Sequence, residues 1–129
     1  MNTVIPTILT IIFILISHFI ADFIFQTNNM AENKSSSNIW LSKHIVSYTT
    51  VLFLSMAFFN FMFLDFSYYS IIVFSLVNGA IHFIVDYITS RATKRLYEEN
   101  RMHDFFVVIG LDQLIHNITL LLSAYLIFF

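Results

Sequence analysis

Four long apolar stretches constrain this chain more than any other feature of its sequence. A helix needs about 20 apolar residues to cross the hydrocarbon core of a bilayer, and each stretch is long enough. Helices are expected because an open sheet would leave backbone groups unpaired in lipid, and an alternation with a period of two, typical of a barrel, is absent. The predicted spans are Val4–Gln26, Trp40–Phe63, Tyr68–Ser90 and Phe105–Phe128. We therefore expect one all-α domain, residues 1–129, that forms an integral membrane bundle of four transmembrane helices.

The composition excludes several other classes of protein. Charged residues make up 11% of the chain and apolar residues 58%, whereas soluble domains carry about 25% charged residues. The chain has no cysteine, which excludes a disulfide scaffold and a thiolate metal site. The net charge of -2 excludes a basic surface for nucleic acid, and we find no nucleotide-binding motif. The expected partner is the lipid bilayer.

The basic residues predict the orientation of the chain in the membrane. Cytoplasmic connectors carry an excess of lysine and arginine, and here every basic residue lies in, or within a turn of, the connectors between spans 1 and 2 and between spans 3 and 4. We therefore expect these two connectors to face the cytoplasm and both termini to lie outside. The residues concerned are Lys34, Lys43, Arg91, Lys94, Arg95 and Arg101.

Histidines and aspartates interrupt all four spans. Ionisable groups are costly inside a bilayer, so each of them is a functional hypothesis. In several spans they stand four residues apart, which places them on one helix face. Because consecutive spans run in opposite directions, all of them fall about 5–12 Å below the cytoplasmic interface, and we predict one polar cluster inside the bundle, open to the cytoplasm. Its candidate metal ligands are His18, Asp22, His44, His82, Asp86, Asp112 and His116.

The residue types in this cluster favour a divalent metal. Imidazoles and carboxylates without thiols suit zinc, manganese or iron. Seven candidates exceed the ligands of a single zinc ion, so the sequence allows one metal with supporting carboxylates or a two-metal site. The candidates for a catalytic carboxylate are Asp22, Asp86 and Asp112. The supporting polar residues are Gln26, Lys34, Lys43, Asn78, Arg91 and Gln113.

Three sequence motifs resemble those of a known family. The segment H-F-I-A-D-F-I-F-Q-T from His18, followed by A-E-N-K from Ala31 and by His44, is similar to the opening signature of the bacterial and phage membrane proteins grouped as domain of unknown function 3307. The blocks H-F-I-V-D from His82 and D-Q-L-I-H from Asp112 resemble its second and third motifs. The resemblance implies a small helical protein of a bacterial cell membrane with these motifs as its functional centre. It implies no particular reaction.

Three functions remain open at this point. The first is a metal-binding membrane protein, in which the metal activates water for hydrolysis and Lys34, Lys43 and Arg91 attract an anionic lipid headgroup. The second is an oligomeric carrier or channel for a metal ion or a proton, which the scarcity of polar groups in the other half of the spans disfavours. The third is an accessory protein whose polar layer only joins the helices. The sequence does not decide whether the protein is an enzyme.

Overall fold

The computed structural model describes residues 4–129, and the side chains of residues 8–129. The predicted all-α fold is confirmed, and the described residues contain no strand. The elements are α1 (Val4–Phe19), a π-helical turn (Ile20–Ile24), α2 (Asn28–Asn33), α3 (Asn38–Phe63), α4 (Tyr68–Glu98) and α5 (Met102–Phe128).

Three of the four predicted spans are long and apolar enough to cross a membrane, namely α3, α4 and α5. In the first predicted span, the residues whose side chains the structure describes form a shorter apolar helix, Ile8–Ile24. Large apolar side chains cover the outside of the helices. Leu54 is 59% exposed, Ile84 60% and Leu122 57%. A soluble protein rarely exposes so much contiguous apolar surface, so this exterior has the character of a lipid-facing surface.

The two largest differences from the prediction are the length of α4 and the presence of α2. Helix α4 continues past Ser90 to Glu98, because residues 91–98 contain no glycine or proline and carry charged side chains suited to a solvated helix. The connector between the first two spans, predicted as a loop, contains the short helix α2. Its N-terminus is capped by the Thr27 hydroxyl, which accepts a hydrogen bond from the Met30 N–H (3.3 Å).

Two short turns hold the long helices antiparallel. Between α3 and α4, the buried Asn60 side chain accepts from the Phe66 N–H (2.8 Å) and donates to the Phe66 carbonyl (3.1 Å). Between α4 and α5, Asn100 adopts a left-handed conformation with φ 57°, which asparagine tolerates better than most residues. The antiparallel order brings the end of α1, the start of α3, the second half of α4 and the first half of α5 to one level.

The interior of the bundle divides into two halves. The apolar half is the end that carries the turn between α3 and α4. There the side chains of Ile14, Leu52, Met56, Phe74 and Leu120 are buried together. The cluster half, on the side of α2, holds the buried histidines and aspartates. The bundle thus positions every polar motif of the sequence at one end of a closed hydrophobic core.

Candidate metal centre

A π-helical turn carries the first aspartate into the interior. The wider turn at Ile20–Ile24 ends with a hydrogen bond from the Phe25 N–H to the Ile20 carbonyl (3.0 Å). Such a turn holds more residues than an α-helical turn and rotates the side chains that follow it; π-turns are frequent at functional sites. Asp22 lies in this turn and is 4% exposed, while His18, one turn earlier, is 4.0 Å away between Nε2 and Oδ2.

Three ligand atoms from three helices converge at the centre of the cluster. Asp22 Oδ1 lies 3.2 Å from His44 Nε2 and 3.2 Å from His82 Nε2, and the two Nε2 atoms are 3.2 Å apart. A tetrahedral zinc site with bonds of about 2.0 Å has ligand atoms about 3.3 Å from one another. The triangle therefore has the dimensions of a metal site.

Hydrogen bonds alone explain this triangle poorly. If both imidazoles donated to Asp22 Oδ1, their Nε2 hydrogens would crowd one another across 3.2 Å. If His44 Nε2 donated to His82 Nε2 instead, His82 Nε2 would be an acceptor and would lie 3.2 Å from the carboxylate oxygen Asp22 Oδ1 with no hydrogen between them. A cation between the three atoms removes both conflicts because all three then serve as lone-pair donors.

Asp86 stands beside the triangle and contacts a lysine. Its Oδ2 is 3.4 Å from His44 Nε2 and its Oδ1 is 3.6 Å from His82 Nε2. Lys34 Nζ, from the connector after α2, donates to Asp86 Oδ2 at 2.7 Å. The aspartate side chain is 3% exposed and the lysine side chain 17%. Asp86 thus lies within reach of the metal position and is held by a positive charge from the connector between α2 and α3.

His18 joins the cluster as a neighbour of Asp22 and is already hydrogen bonded at both ring nitrogens. Its Nε2 donates to Gln113 Oε1 (3.3 Å), because an amide oxygen only accepts. Its Nδ1 then accepts from the Tyr48 hydroxyl (3.1 Å). His18, Asp22 and His116 do offer ligand atoms within 4.8 Å of one another. The hydrogen bonds of His18 favour a supporting position in the present arrangement.

A second set of polar side chains, mostly from α5, adjoins the triangle. The Gln113 amide nitrogen donates to Asp22 Oδ2 and to Asp112 Oδ2, both at 3.0 Å. Asp112 Oδ1 also accepts from the Thr89 hydroxyl of α4 (2.6 Å), and Asp112 Oδ2 lies 3.5 Å from His116 Nδ1. All seven predicted ligands therefore come together, and Gln113 links the carboxylates of α5 and of the π-helical turn.

A cavity of about 740 Å³ leads to this cluster. Its lining includes Asp22, Asp86 and Asp112 of the cluster, together with Lys34. Apolar side chains also line it, namely Phe23, Ala31, Tyr97, Phe105 and Ile109. The cavity thus combines carboxylates and a lysine with apolar side chains suited to a hydrophobic group.

The structure places the predicted supporting residues in different surroundings. Gln26 lies in the cavity lining. Asn78 is buried deeper, where it donates to Ser123 Oγ (2.8 Å). Lys43 lies over the Trp40 ring, and Arg91 stacks on a tyrosine and donates to the Asn38 side chain. Of the three basic residues expected to attract a headgroup, Lys34 is the one in the cavity lining.

Two residues of the site were not singled out in the sequence, Tyr48 and Thr89. Tyr48 is 1% exposed, and its ring stacks on His82 with centroids 4.0 Å apart. It stands four residues after His44, so helical spacing would have placed it on the same face. Thr89 likewise stands three residues after Asp86. Neither residue type by itself indicates a site, because tyrosine and threonine within an apolar stretch are typical of packing.

Comparison with known proteins identifies the family. A family model described as "Protein of unknown function (DUF3307)" matches residues 9–129. The chain therefore belongs to this family, as its three motifs predicted. No curated protein and no solved structure matches it.

Proposed function

We propose that this member of the DUF3307 family is an integral membrane protein that binds a divalent metal and uses it to hydrolyse an amphiphilic substrate. In this proposal Asp22, His44 and His82 hold zinc, manganese or iron, and Asp86 acts beside them. The observation that carries the proposal is the triangle of their ligand atoms, each 3.2 Å from the other two.

The first helix also crosses the membrane in this proposal. From Val4 to Ile24, α1 and the π-helical turn form one continuous helical segment that measures about 30 Å at 1.5 Å per residue, the thickness of the hydrocarbon core. Its outward side chains are apolar; for example Ile12 is 47% exposed and Ile16 50%. Four spans then surround the cluster. The positive-inside rule places the cavity and the connector that carries Lys34 on the cytoplasmic side of a bacterial cell membrane.

The chemistry of the site is assigned to its residues as follows. A divalent cation would activate a water molecule and polarise the bond to be cleaved. Asp86 faces both the triangle and the cavity, so it is placed to act as general base. The water oxygen would bond to the electrophilic atom of the substrate, Asp86 would take the water proton, and the leaving group would depart with the bonding electron pair and recover that proton. Lys34 would hold Asp86 in position and face an anionic substrate group.

The cavity supports an amphiphilic substrate such as a phospholipid. Its lining offers carboxylates and Lys34 to a headgroup, and Phe23, Phe105 and Ile109 to an apolar chain. Phe23 is 44% exposed and Ile109 36%, so these side chains also reach the surface of the bundle. A substrate taken from the bilayer would place its headgroup near the carboxylates and Lys34, and its chain along these apolar side chains.

Transport is the alternative that the structure supports less. Ile14, Leu52, Phe74 and Leu120 are buried to within 1% exposure in the apolar half, and they separate the cluster from the opposite end of the bundle. An ion that entered from the cavity would have to pass this packed layer. A cluster that opens to one side suits a reaction with a substrate from that side better than passage through the bundle.

The metal content of the protein purified in detergent tests the binding step. We expect metal in the wild type, measured by elemental analysis after dialysis, and its loss in Asp22→Ala and His44→Ala. His103→Ala and Asp65→Asn, which change an exposed histidine and an exposed aspartate, are matched controls that keep the metal. A folded, metal-free wild type after exposure to zinc, manganese and iron(II) would contradict the proposal.

The hydrolytic step is tested with phosphatidylglycerol in mixed micelles as the probe. Mass spectrometry should detect cleavage products with the metal-loaded wild type and not with Asp86→Asn, provided that this variant retains its metal. If Asp86→Asn cleaves the probe as fast as the wild type, Asp86 is not the general base. If the metal-loaded wild type cleaves no phospholipid, the lipid substrate is wrong.

A further inference from the structure

We propose that a groove at the start of α3 binds one anionic phospholipid of the cytoplasmic leaflet, at a site separate from the metal cavity. The groove measures about 640 Å³ and, apart from Met30 of α2, it is lined by residues within 38–47 of α3. None of its lining residues also lines the metal cavity. The proposal uses the membrane orientation given above and does not depend on the metal.

Two basic residues have no carboxylate partner, and both border this groove. Four of the six lysines and arginines form ion pairs, namely Lys34 with Asp86, Lys94 with Glu98, Arg95 with Glu99 and Arg101 with Asp104. Within residues 8–129, Lys43 and Arg91 make no such pair and lie against aromatic rings instead. Their charges are not neutralised by a side chain of that part of the chain, so they are available to an anion.

The ammonium group of Lys43 lies at the level of the lipid headgroups. Its Nζ is 4.1 Å from the centroid of the Trp40 ring, and Trp40 stands three residues nearer the start of the helix. The lysine side chain therefore extends back toward the membrane surface, as long basic side chains near helix ends do. Tryptophan is itself enriched at this level. A lipid phosphate at the surface is thus within reach of Lys43.

Arg91 reaches the start of α3 from α4. Its guanidinium group stacks 3.7 Å from the centroid of the Tyr87 ring, and its Nη1 donates to the Tyr87 carbonyl (2.9 Å). Its Nη2 donates to Asn38 Oδ1 (2.8 Å), and Asn38 lines the groove. This bond leaves the Asn38 amide nitrogen to donate to a headgroup. Arg91 thus orients a donor of the groove and adds a second positive charge beside it.

The lining of the groove favours an anionic headgroup over a zwitterionic one. Among the described residues that line it, Lys43 is the one charged residue, and none is a carboxylate. An ethanolamine headgroup carries an ammonium group for which this lining offers no counter-charge, whereas phosphatidylglycerol carries only the negative phosphate. The Ser42 hydroxyl and the Asn38 amide add donors for the phosphate oxygens.

An apolar stripe on α3 accompanies the headgroup position. Ile39 is 70% exposed and Val46 66%, and both line the groove. They stand four residues before and three residues after Lys43, so all three side chains share one helix face. Val46 lies about one turn deeper in the membrane than Lys43. An acyl chain along this stripe would place its phosphate at Lys43, so the groove suits a lipid better than free phosphate.

Quenching of Trp40 fluorescence tests the proposal on the full chain, because Trp40 is its single tryptophan. The protein is reconstituted with a chelator into phosphatidylcholine bilayers that contain phosphatidylglycerol or phosphatidylethanolamine with brominated acyl chains, which quench a tryptophan they touch. We expect phosphatidylglycerol to quench at a mole fraction lower by about fivefold, the effect of one basic side chain at an anionic membrane surface. Lys43→Met and Arg91→Met should each reduce this preference, and Lys43→Arg should keep it.

The matched control is Arg95→Met. It removes a basic residue that is already paired with Glu99 and lines neither the groove nor the cavity, so the preference should stay as in the wild type. Bilayers with the same lipids lacking bromine give the unquenched fluorescence of each variant. Circular dichroism and gel filtration confirm that each variant is folded.

Several outcomes would overturn the proposal. Equal quenching by both brominated lipids in the wild type removes the site, even if no variant folds. An unchanged preference in folded Lys43→Met and Arg91→Met contradicts the assignment to these residues, and an equal loss in Arg95→Met indicates a general attraction to the surface. Displacement of the lipid by millimolar glycerol phosphate would show that the groove takes a free phosphate.

The test is independent of the proposed function. No metal is bound in the presence of the chelator, so failure of the lipid site leaves the metal triangle and the hydrolytic step untouched. A wild type that binds no metal and still shows the preference for phosphatidylglycerol would contradict the proposed function and support this site.

Discussion

The same helix faces line both halves of the bundle, but they carry polar side chains in the cluster half and apolar side chains in the apolar half. On α3, His44 and Tyr48 face the cluster half, and Leu52 and Met56, one and two turns further on, face the apolar half; all four are at most 1% exposed. On α4, Phe74 packs in the apolar half and His82 in the cluster half. The apolar half is held by close packing, and the cluster half by hydrogen bonds and charge. Stability and function should therefore respond to substitutions at different ends of the same helices.

The largest effect on stability is expected from Leu52→Ala. The side chain is completely buried in the apolar half, so its truncation leaves a cavity that costs about 2–5 kcal/mol of unfolding free energy. Leu54→Ala is the matched control, because Leu54 is 59% exposed on the outside of the same helix; we expect a change of less than about 0.5 kcal/mol. Unfolding in detergent followed by circular dichroism measures both. Loss of bound metal in folded Leu52→Ala would show that the two halves are coupled.

The next effect is expected in the cluster half, from Lys34→Met. Removal of the lysine leaves Asp86 buried without its counter-charge. A fully buried pair broken in this way costs about 3–5 kcal/mol, and because Lys34 is partly exposed we expect about 1–3 kcal/mol.

The metal makes this prediction specific to the cluster half. A divalent cation beside Asp86 would replace the lost charge, so the destabilisation by Lys34→Met should be smaller with saturating zinc than with a chelator. Lys43→Met, which removes a lysine from the Trp40 ring and not from an ion pair, should show no such dependence. An equal loss of stability with zinc and with chelator would argue against a metal next to Asp86.

A third prediction concerns the packing between the halves. A Cβ at Gly79 of α4 would collide with the Thr49 hydroxyl of α3, whereas a Cβ at Gly110 of α5 would meet open space. Gly79→Ala should therefore lower the unfolding free energy by about 1–3 kcal/mol. Gly110→Ala should leave it unchanged or raise it by up to about 1 kcal/mol through helix propensity. Thermal unfolding compares the two, and equal melting temperatures would show that α3 can give way at Thr49.

The smallest effect is expected outside both halves, at the end of α4. Hydrogen bonds from Arg95 and then Arg101 hold the pKa of Glu99 below its ordinary value. A carboxyl whose pKa is lowered by folding stabilises the protein above the unfolded pKa and loses that contribution as the pH falls. Glu99→Gln should lower Tm slightly at neutral pH, and the difference from the wild type should shrink as the pH falls below the unfolded pKa of about 4.3 and vanish once the pH lies below the lowered pKa of the folded state. A Tm difference independent of pH would assign the effect to something other than the charge.

Much of the fold was predictable because it depends on composition and spacing. The length of the apolar stretches predicted the helices, and the charged and polar residues between them predicted the connectors. The spacing of four residues in His18–Asp22 and His82–Asp86 predicted that the motifs share a face, and the antiparallel order predicted that they share a level. The C-terminal end of α4 and the presence of α2 were not predicted, since hydrophobicity indicates the part of a helix that lies in a membrane and not where the helix ends.

The contact partners of individual side chains were less predictable. Lys34 and Lys43 look alike in the sequence, yet one contacts Asp86 and the other lies on Trp40. Arg91 was expected near the site and contacts Asn38 instead. Long flexible side chains contact whichever partner the packing of the helices places within their reach. The sequence does not give the distances between such side chains and their partners.

The sequence by itself determined that histidines and aspartates would meet at one end of an apolar helical bundle, because helix periodicity and hydrophobic length are local properties. Only the tertiary structure decided which atoms meet. The convergence of Asp22, His44 and His82, and the stacking of His116 on His82, depend on the rotation and separation of whole helices. The rotation and separation of the helices are set by the packing of the entire core, including the π-helical turn, which no local sequence pattern predicted.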